Sequence, residues 1–297
     1  MRIVSLIASS TEMVCALGFG ESLVGRSHEC DFPPWVARLP AVTAPKFPTD
    51  GTSYQIDARV QAIVAEGLSV YRVDPEALDA LAPDVVVTQT QCAVCAVSLA
   101  DVEDALCRTV GSRPRIVALE PNALADVWAD IRRLAAALGA PERGEELCAS
   151  LEAGMRAIEA TVRGRPRPRV AVIEWCAPLM SAGNWMPELV ERAGGENLFG
   201  VSGGHSGILA WEALRSADPD VIVVSPCGFD LARTREDLPV LAALPGWSDL
   251  RAVRGGRVAL ADGNAYFNRP GPRLVESLAI LAEIFHGGER PGAWEWA

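Results

Sequence analysis

Glu76-Ala77-Leu78, leading to Pro83-Asp84-Val85-Val86-Val87, is the stretch on which the fold turns. The same wording returns as Glu212-Ala213-Leu214 and Pro219-Asp220-Val221-Ile222-Val223. Upstream of the first copy lies Gly20-Glu21-Ser22-Leu23-Val24-Gly25, echoed by Gly195-Glu196-Asn197-Leu198-Phe199-Gly200. Downstream, Arg115-Ile116-Val117-Ala118-Leu119 with Asn122-Ala123 is echoed by Arg257-Val258-Ala259-Leu260 with Asn264-Ala265. Similar βα units can converge on similar wording. Three blocks in one order predict instead two lobes of a single architecture.

Around these blocks, short apolar runs alternate with helical periodicity. Residues 3–7, 85–87, 116–119, 170–173, 221–224 and 258–260 read as buried parallel strands. Ser9 with Glu12 three residues on reads as a capping box opening the first helix, and Ser98 with Asp101 as a second cap. Residues 123–163 read as helical, interrupted at Gly139-Ala140-Pro141 and stopped by Arg163-Gly164-Arg165-Pro166-Arg167-Pro168. The expectation is an α/β protein of two Rossmann-like lobes with mostly parallel sheets joined by a long helix. The lobes span residues 1–121 and 168–297, with a helical connector at 122–167.

Composition removes several classes of function. The chain has 297 residues, of which 49% are hydrophobic and 22% charged, which excludes disorder, collagen and coiled coil. Lys+Arg 27 against Asp+Glu 38 gives −11, so nucleic acid and anionic membrane are poor partners. Lys46 is the sole lysine and no G-x-x-x-x-G-K-[ST] occurs, which argues against nucleotide hydrolysis and Schiff-base chemistry. No run of about 20 apolar residues is present to cross a bilayer. Met1-Arg2 runs straight into a strand with no leader pattern. The location expected is therefore cytoplasmic, or periplasmic if a signal has been removed. The eight cysteines are too sparse for a disulfide scaffold and suit a reducing compartment.

Ligands of parallel α/β sheets sit outside the carboxyl ends of the strands, which directs attention to the residues that follow each run. Those residues include Ser9 and Ser10, His28 and Cys30, and Gln91, Cys92 and Cys95. In the second half they are Trp175, Trp185, His205, Cys227 and Phe229, then Tyr266, Phe267, Asn268 and Arg269. Cys15, Cys107 and Cys148 lie inside helical patterns, and His286 is expected exposed on the last helix. Cys92 and Cys95 form a single C-x-x-C, and no second pair completes a structural zinc site. The set leaves three readings. One is a metal or metal-chelate site using His28, Cys92, Cys95 and His205. Another is a redox dithiol at Cys92 and Cys95. The third is a large flat ligand held by the aromatic residues in an interlobe cleft. No G-x-S-x-G is present, and Gly18-x-Gly20 lacks the rest of a dinucleotide fingerprint.

Ile3-Val4-Ser5-Leu6 with Ser10-Thr11-Glu12, Asp31-Phe32-Pro33-Pro34, Gly194-Gly195-Glu196-Asn197-Leu198-Phe199 and Arg269-Pro270-Gly271-Pro272-Arg273 add a family likeness to the two Pro-Asp blocks. Nearly the whole chain resembles the cobalamin-binding type of substrate-binding protein, in the group whose two α/β lobes are joined by one long helix. The resemblance implies a non-enzymatic, monomeric binding protein for a corrinoid such as cobalamin. Relatives carry iron-siderophores, haem or bare metal ions instead. It implies ligand contacts from the strand-end loops, with a thiolate or imidazole as a cobalt ligand. It also places Glu76 and Glu212 where exported relatives dock onto arginines of an ABC permease. A helix N-terminus favours an acid at either position for its own reasons.

Overall fold

The computed structural model of the protein describes residues 1–66, 68–90, 101–102 and 114–297. It comprises two compact units. The first is Met1–Gly51, Gln55–Pro121 and Ala125–Ala149; the second is Thr52–Tyr54, Asn122–Leu124 and Ser150–Ala297.

The first unit is built on a four-stranded sheet of β1 (Ile3–Ser5), β2 (Leu23–Arg26), β5 (Val85–Gln89) and β6 (Arg115–Leu119), all parallel, in the order β2-β1-β5-β6. A short antiparallel pair, β3 (Thr43–Pro45) and β4 (Tyr71–Val73), lies outside it. In the second unit β7 (Arg169–Trp175), β11 (Val221–Val224) and β12 (Val258–Ala261) form the parallel centre. The short β9 (Glu196–Asn197) pairs parallel with the start of β7, while β8 (Met180–Ser181), β10 (Gly207–Ile208) and β13 (Trp294–Trp296) pair antiparallel. The order β9-β7-β11-β12 repeats β2-β1-β5-β6, so the sequence repeat is a repeat of topology. Each repeat carries an apolar core, Val4, Leu6, Leu78 and Val86 in the first unit and Ile173, Leu214, Ile222 and Leu260 in the second. Burying side chains of this size contributes about 1.5–3 kcal/mol each.

The Pro-Asp blocks explain how strand and helix are joined. The helix Pro75–Leu81 ends at Ala82 and the helix Trp211–Ala217 at Asp218, both in the left-handed region with φ 40 and 43. Proline follows immediately and forbids helical continuation. Asp84 then accepts from the Arg2 backbone N–H at 2.7 Å and donates its own N–H to the Arg2 carbonyl at 2.8 Å. Asp220 repeats this with Arg169 at 2.9 and 2.8 Å. Arg2 Nε donates to the Leu81 carbonyl at 2.7 Å, and Arg169 Nη1 to the Ala217 carbonyl at 2.6 Å. One Asp and one Arg thus satisfy the orphan groups of a helix end and of a strand start at once.

Local expectations meet two corrections. The first helix, Ala8–Ala16, takes Ile7 as its extended N-cap, with no side-chain cap. Ser9 lies inside the first turn, so no capping box forms; the chain passes from β1 into the helix too directly for a serine cap. His286 is partly buried rather than exposed, its Nε2 3.0 Å from the Ala193 carbonyl. The helical stretch is the pair Leu124–Ala137 and Pro141–Val162, broken at Gly139 with φ 80. Ser98 lies outside the described residues.

Asp220→Ala is expected to cost about 1–3 kcal/mol, measured by urea unfolding. Burial alone would raise the Asp220 carboxyl, but the Arg169 N–H and the Arg251 guanidinium outweigh it and hold it below its usual value. Its folded pKa is depressed, so its contribution is complete above about pH 4 and is lost as pH falls through the lower folded value. The stability difference between wild type and Asp220→Asn should therefore shrink in acid.

Candidate functional site

In the second unit the loops after β7, β11 and β12 are stitched together by backbone and amide bonds. Asp230 accepts from the Arg233 N–H at 2.8 Å and caps the helix Leu231–Ala242. Asp262 accepts from the Ala265 N–H at 2.7 Å and caps a single π turn, Gly263–Phe267. Such turns recur at functional sites. Gly263 is required there, because a Cβ would stand 2.2 Å from the Pro226 carbonyl oxygen. Asn264 N–H donates to the Phe229 carbonyl at 2.9 Å, and Asn268 Nδ2 to the Ser225 and Gly263 carbonyls at 3.2 and 3.0 Å.

The aromatic residues of this end fall into two groups. Trp175 is partly exposed and stands 5.3 Å from Phe229 at 57°, its Nε1 donating to the Ala177 carbonyl at 3.1 Å. Tyr266 is partly exposed, with the Arg273 guanidinium 4.5 Å over its ring. Phe229, Trp185 and Phe267 are buried, at 5%, 5% and 1% exposure. Phe229 lies between Trp175 and the Arg233 guanidinium, and Trp185 Nε1 donates to the Phe267 carbonyl at 3.0 Å. These three, expected as ligand contacts, are buried against the loops that carry Trp175 and Tyr266. Arg269 is buried as well, its Nη2 donating to Asn264 Oδ1 at 3.0 Å. His205 and Cys227 are exposed.

One strand-end group went unnoticed in the sequence. Glu174, next to the end of β7, is partly buried and accepts from Ser206 Oγ at 2.7 Å. Burial pushes its carboxyl up to about 7, against the Ser206 hydrogen bond that lowers it. The signal was present, since an acid terminates the apolar run Val170-Ala171-Val172-Ile173.

In the first unit the end of β1 carries a buried polar network. Ser5 Oγ and Ser10 Oγ stand 2.6 Å apart, and Ser10 Oγ donates to the Ile7 carbonyl at 3.0 Å. Thr11 Oγ1 stands 2.7 Å from Ser5 Oγ and 3.0 Å from Cys30 Sγ, within hydrogen-bond reach of both. Ser9, Ser10 and Cys30 are all buried; Ser10 and Cys30 take part in this network, while Ser9 Oγ has no hydrogen-bond partner among the described residues. His28 is partly buried against Tyr71 at 5.3 Å, with Nδ1 2.8 Å from Thr43 Oγ1. Burial and then the Arg26 charge lower its pKa, leaving a neutral imidazole at pH 7. Gln91, Cys92, Cys95 and Cys107 lie outside the described residues. Among the described residues no three His, Cys, Asp or Glu side chains group as metal ligands, and no helix is long and apolar enough to cross a membrane. Glu76 and Glu212 are exposed in the first turns of the two matching helices, as the internal repeat requires.

A two-lobed α/β chain with its polar and aromatic groups gathered at strand ends is the architecture of a solute-binding protein. Residues 3–265 match the periplasmic binding protein family, and the chain belongs to that family. Its members are binding proteins rather than enzymes, which sets aside the redox-dithiol reading. The chain is 22% identical over 292 residues, 96% of its length and 80% of the relative's, to an uncharacterized ABC transporter substrate-binding lipoprotein, YvrC, of Bacillus subtilis. It is similar to the periplasmic heme-binding protein RhuT of Roseiflexus sp. RS-1, solved in apo form, at TM-score 0.69 and 26% identity, covering 96% of this chain and 97% of that one. It shares the fold of the periplasmic vitamin B12 binding protein BtuF of Vibrio cholerae, at TM-score 0.65 and 20% identity, covering 95% of each. These relatives are periplasmic proteins or lipoproteins and lend no support to a cytoplasmic location.

The described cysteines differ enough in exposure to be told apart chemically. Cys227 is exposed; Cys30, Cys148 and Cys176 are buried; and burial, with the Glu12 charge, pushes the partly buried Cys15 thiol up to about 11. Peptide mapping after brief treatment of native protein with a maleimide at pH 7 should show Cys227 modified first among the described cysteines. Cys30, Cys148 and Cys176 should react only on unfolding. Early modification of Cys176, whose thiol burial and Asp237 raise further, would contradict this packing.

Proposed function

We propose that the protein is a non-enzymatic binding protein for a corrinoid such as cobalamin, acting with an ABC permease. The carrying observation is Trp175, a partly exposed indole braced by the buried Phe229 at the carboxyl end of β7. A rigid aromatic face presented on a fixed scaffold suits a broad, flat ligand and loses little entropy on binding. Trp175 and Tyr266 supply the apolar contact, while His205, Cys227 and Asn268 border the same strand ends. The sequence resemblance to cobalamin binders and the fold shared with BtuF support this ligand class. Cys92 and Cys95, with Gln91, are assigned to the ligand on the resemblance alone.

Haem or another metal chelate is the second reading, favoured by the 26% identity to RhuT. Both ligands are planar metal macrocycles and place similar demands on Trp175. Glu76 and Glu212 are assigned to permease docking. Each is an exposed carboxylate at the second residue of its helix, with no ion pair among the described residues.

Titration of reduced, metal-free protein with hydroxocobalamin, followed by visible absorbance and calorimetry, tests the reading. Saturable binding at micromolar affinity or tighter is expected, weakened about tenfold or more, ~1.4 kcal/mol, by Trp175→Ala. A shift of the corrin band that His205→Ala abolishes identifies that imidazole as the cobalt ligand. No heat and no spectral change with hydroxocobalamin, but saturation with haem, would replace the first reading by the second.

A further inference from the structure

Glu174 is the one acidic side chain in β7, and its setting is unusual. Its carbonyl accepts from the Cys227 N–H at 3.1 Å, tying it to the loop after β11. Its Oε2 accepts from Ser206 Oγ at 2.7 Å, and Ser206 Oγ in turn accepts from the Gly183 N–H at 3.0 Å. The loop that carries Ser206 packs closely against Gly183 and Asn184. A Cβ on Gly183 would meet the Gly204 carbonyl oxygen at 2.4 Å and Ser206 N at 2.8 Å, and Asn184 N–H donates to the Gly204 carbonyl at 2.6 Å. Oε1 has no hydrogen-bond partner among the described residues. A carboxyl held through one oxygen, whose other oxygen takes no protein partner among the described residues, at the carboxyl end of a central parallel strand beside Trp175, is placed to receive a hydrogen bond from outside.

We propose that Glu174 is a specificity-determining residue of the ligand site. Its carboxylate accepts a hydrogen bond from an N–H-bearing side arm of the ligand and disfavours a side arm that is itself a carboxylate. This inference rests on the corrinoid reading and deepens it. The rim of cobalamin carries primary amides, which donate N–H bonds, whereas that of haem carries propionates. An amide arm binds the ionised form of Glu174. A carboxylate arm requires the protonated form, since two anions sharing one proton are tolerated and two bare anions are not.

Among the described residues the groups bonded to Glu174 are Ser206 Oγ on one loop and the Cys227 N–H on the other; His205, next to Ser206 in the chain, is exposed. No charged side chain contributes to its shift, which comes from burial opposed by Ser206, and places the midpoint near pH 7. Selection by side-arm charge is therefore pH-dependent around neutrality, with opposite signs for the two arm types.

The test is calorimetric titration with cyanocobalamin, whose axial groups do not titrate near neutrality, and with its separated monocarboxylic acids, at pH 6, 7 and 8. For wild type, cyanocobalamin affinity should rise about tenfold from pH 6 to pH 8, with close to one proton released at pH 6. At least one monocarboxylic acid should show the reverse slope. Glu174→Gln, an isostere that keeps the acceptor for Ser206, should flatten both. Ser206→Ala, which removes the bond that lowers the carboxyl, should move the midpoint of the profile to higher pH and serves if the glutamine variant fails to fold. Binding of cyanocobalamin with the same slope in Glu174→Gln, or with no proton release in wild type, overturns this inference and leaves the corrinoid reading standing. No binding of any corrin at any pH overturns both.

Discussion

In each unit one aspartate, just before a central strand, ties that strand to its neighbour. Asp84 and Asp220 each bond in both directions to the residue that opens the neighbouring central strand, Arg2 or Arg169. Those arginines reach back to the carbonyls at the end of the preceding helix. The geometry is possible because Ala82 and Asp218 turn left-handed and Pro83 and Pro219 stop the helix. Left-handed backbone costs about 1–2 kcal/mol at a residue other than glycine, less than the orphaned strand and helix groups would cost if left unpaired. With helix end and strand start locked, β1 pairs with β5 and β7 with β11 in one register.

The same lock explains what was legible in the sequence. Pro-Asp followed by three or four β-branched residues is a mechanical requirement, so it was written twice and could be read. The order β2-β1-β5-β6 and its counterpart follow from it. Side-chain direction was not legible. Trp185, Phe229 and Phe267 stand at strand ends, as a ligand contact would, yet they turn inward beneath Trp175 and Tyr266. Ser10 and Cys30 have ligand chemistry but spend it on Ser5, Ile7 and Thr11. Glu174 was overlooked because strand reading weighs apolar runs and treats the acid that ends one as a boundary. Its partner Ser206 lies 32 residues away, and no local pattern joins the two.

The described strand ends of the two units differ in chemistry. In the first, the described residues beyond β1 include Ser5, Ser10, Thr11 and Cys30, whose hydroxyl and thiol groups bond to one another. In the second, the strand ends leave a braced indole, an exposed imidazole and a half-satisfied carboxyl. A binding protein gains from such a division, because a rigid presenting surface limits the ordering that a ligand must impose. The family's many ligands then differ through the few side chains that the scaffold leaves unsatisfied rather than through the scaffold itself.

The most direct measurement is diffraction at the cobalt absorption edge from crystals of the protein grown with cobalamin. An anomalous peak is expected on the partly exposed side of Trp175, with the corrin plane against the indole and an amide arm within hydrogen-bond distance of Glu174 Oε1. A cobalt peak remote from the ends of β7 and β11, or crystals that grow in excess cobalamin and carry no cobalt, would contradict the assignment of ligand and site together.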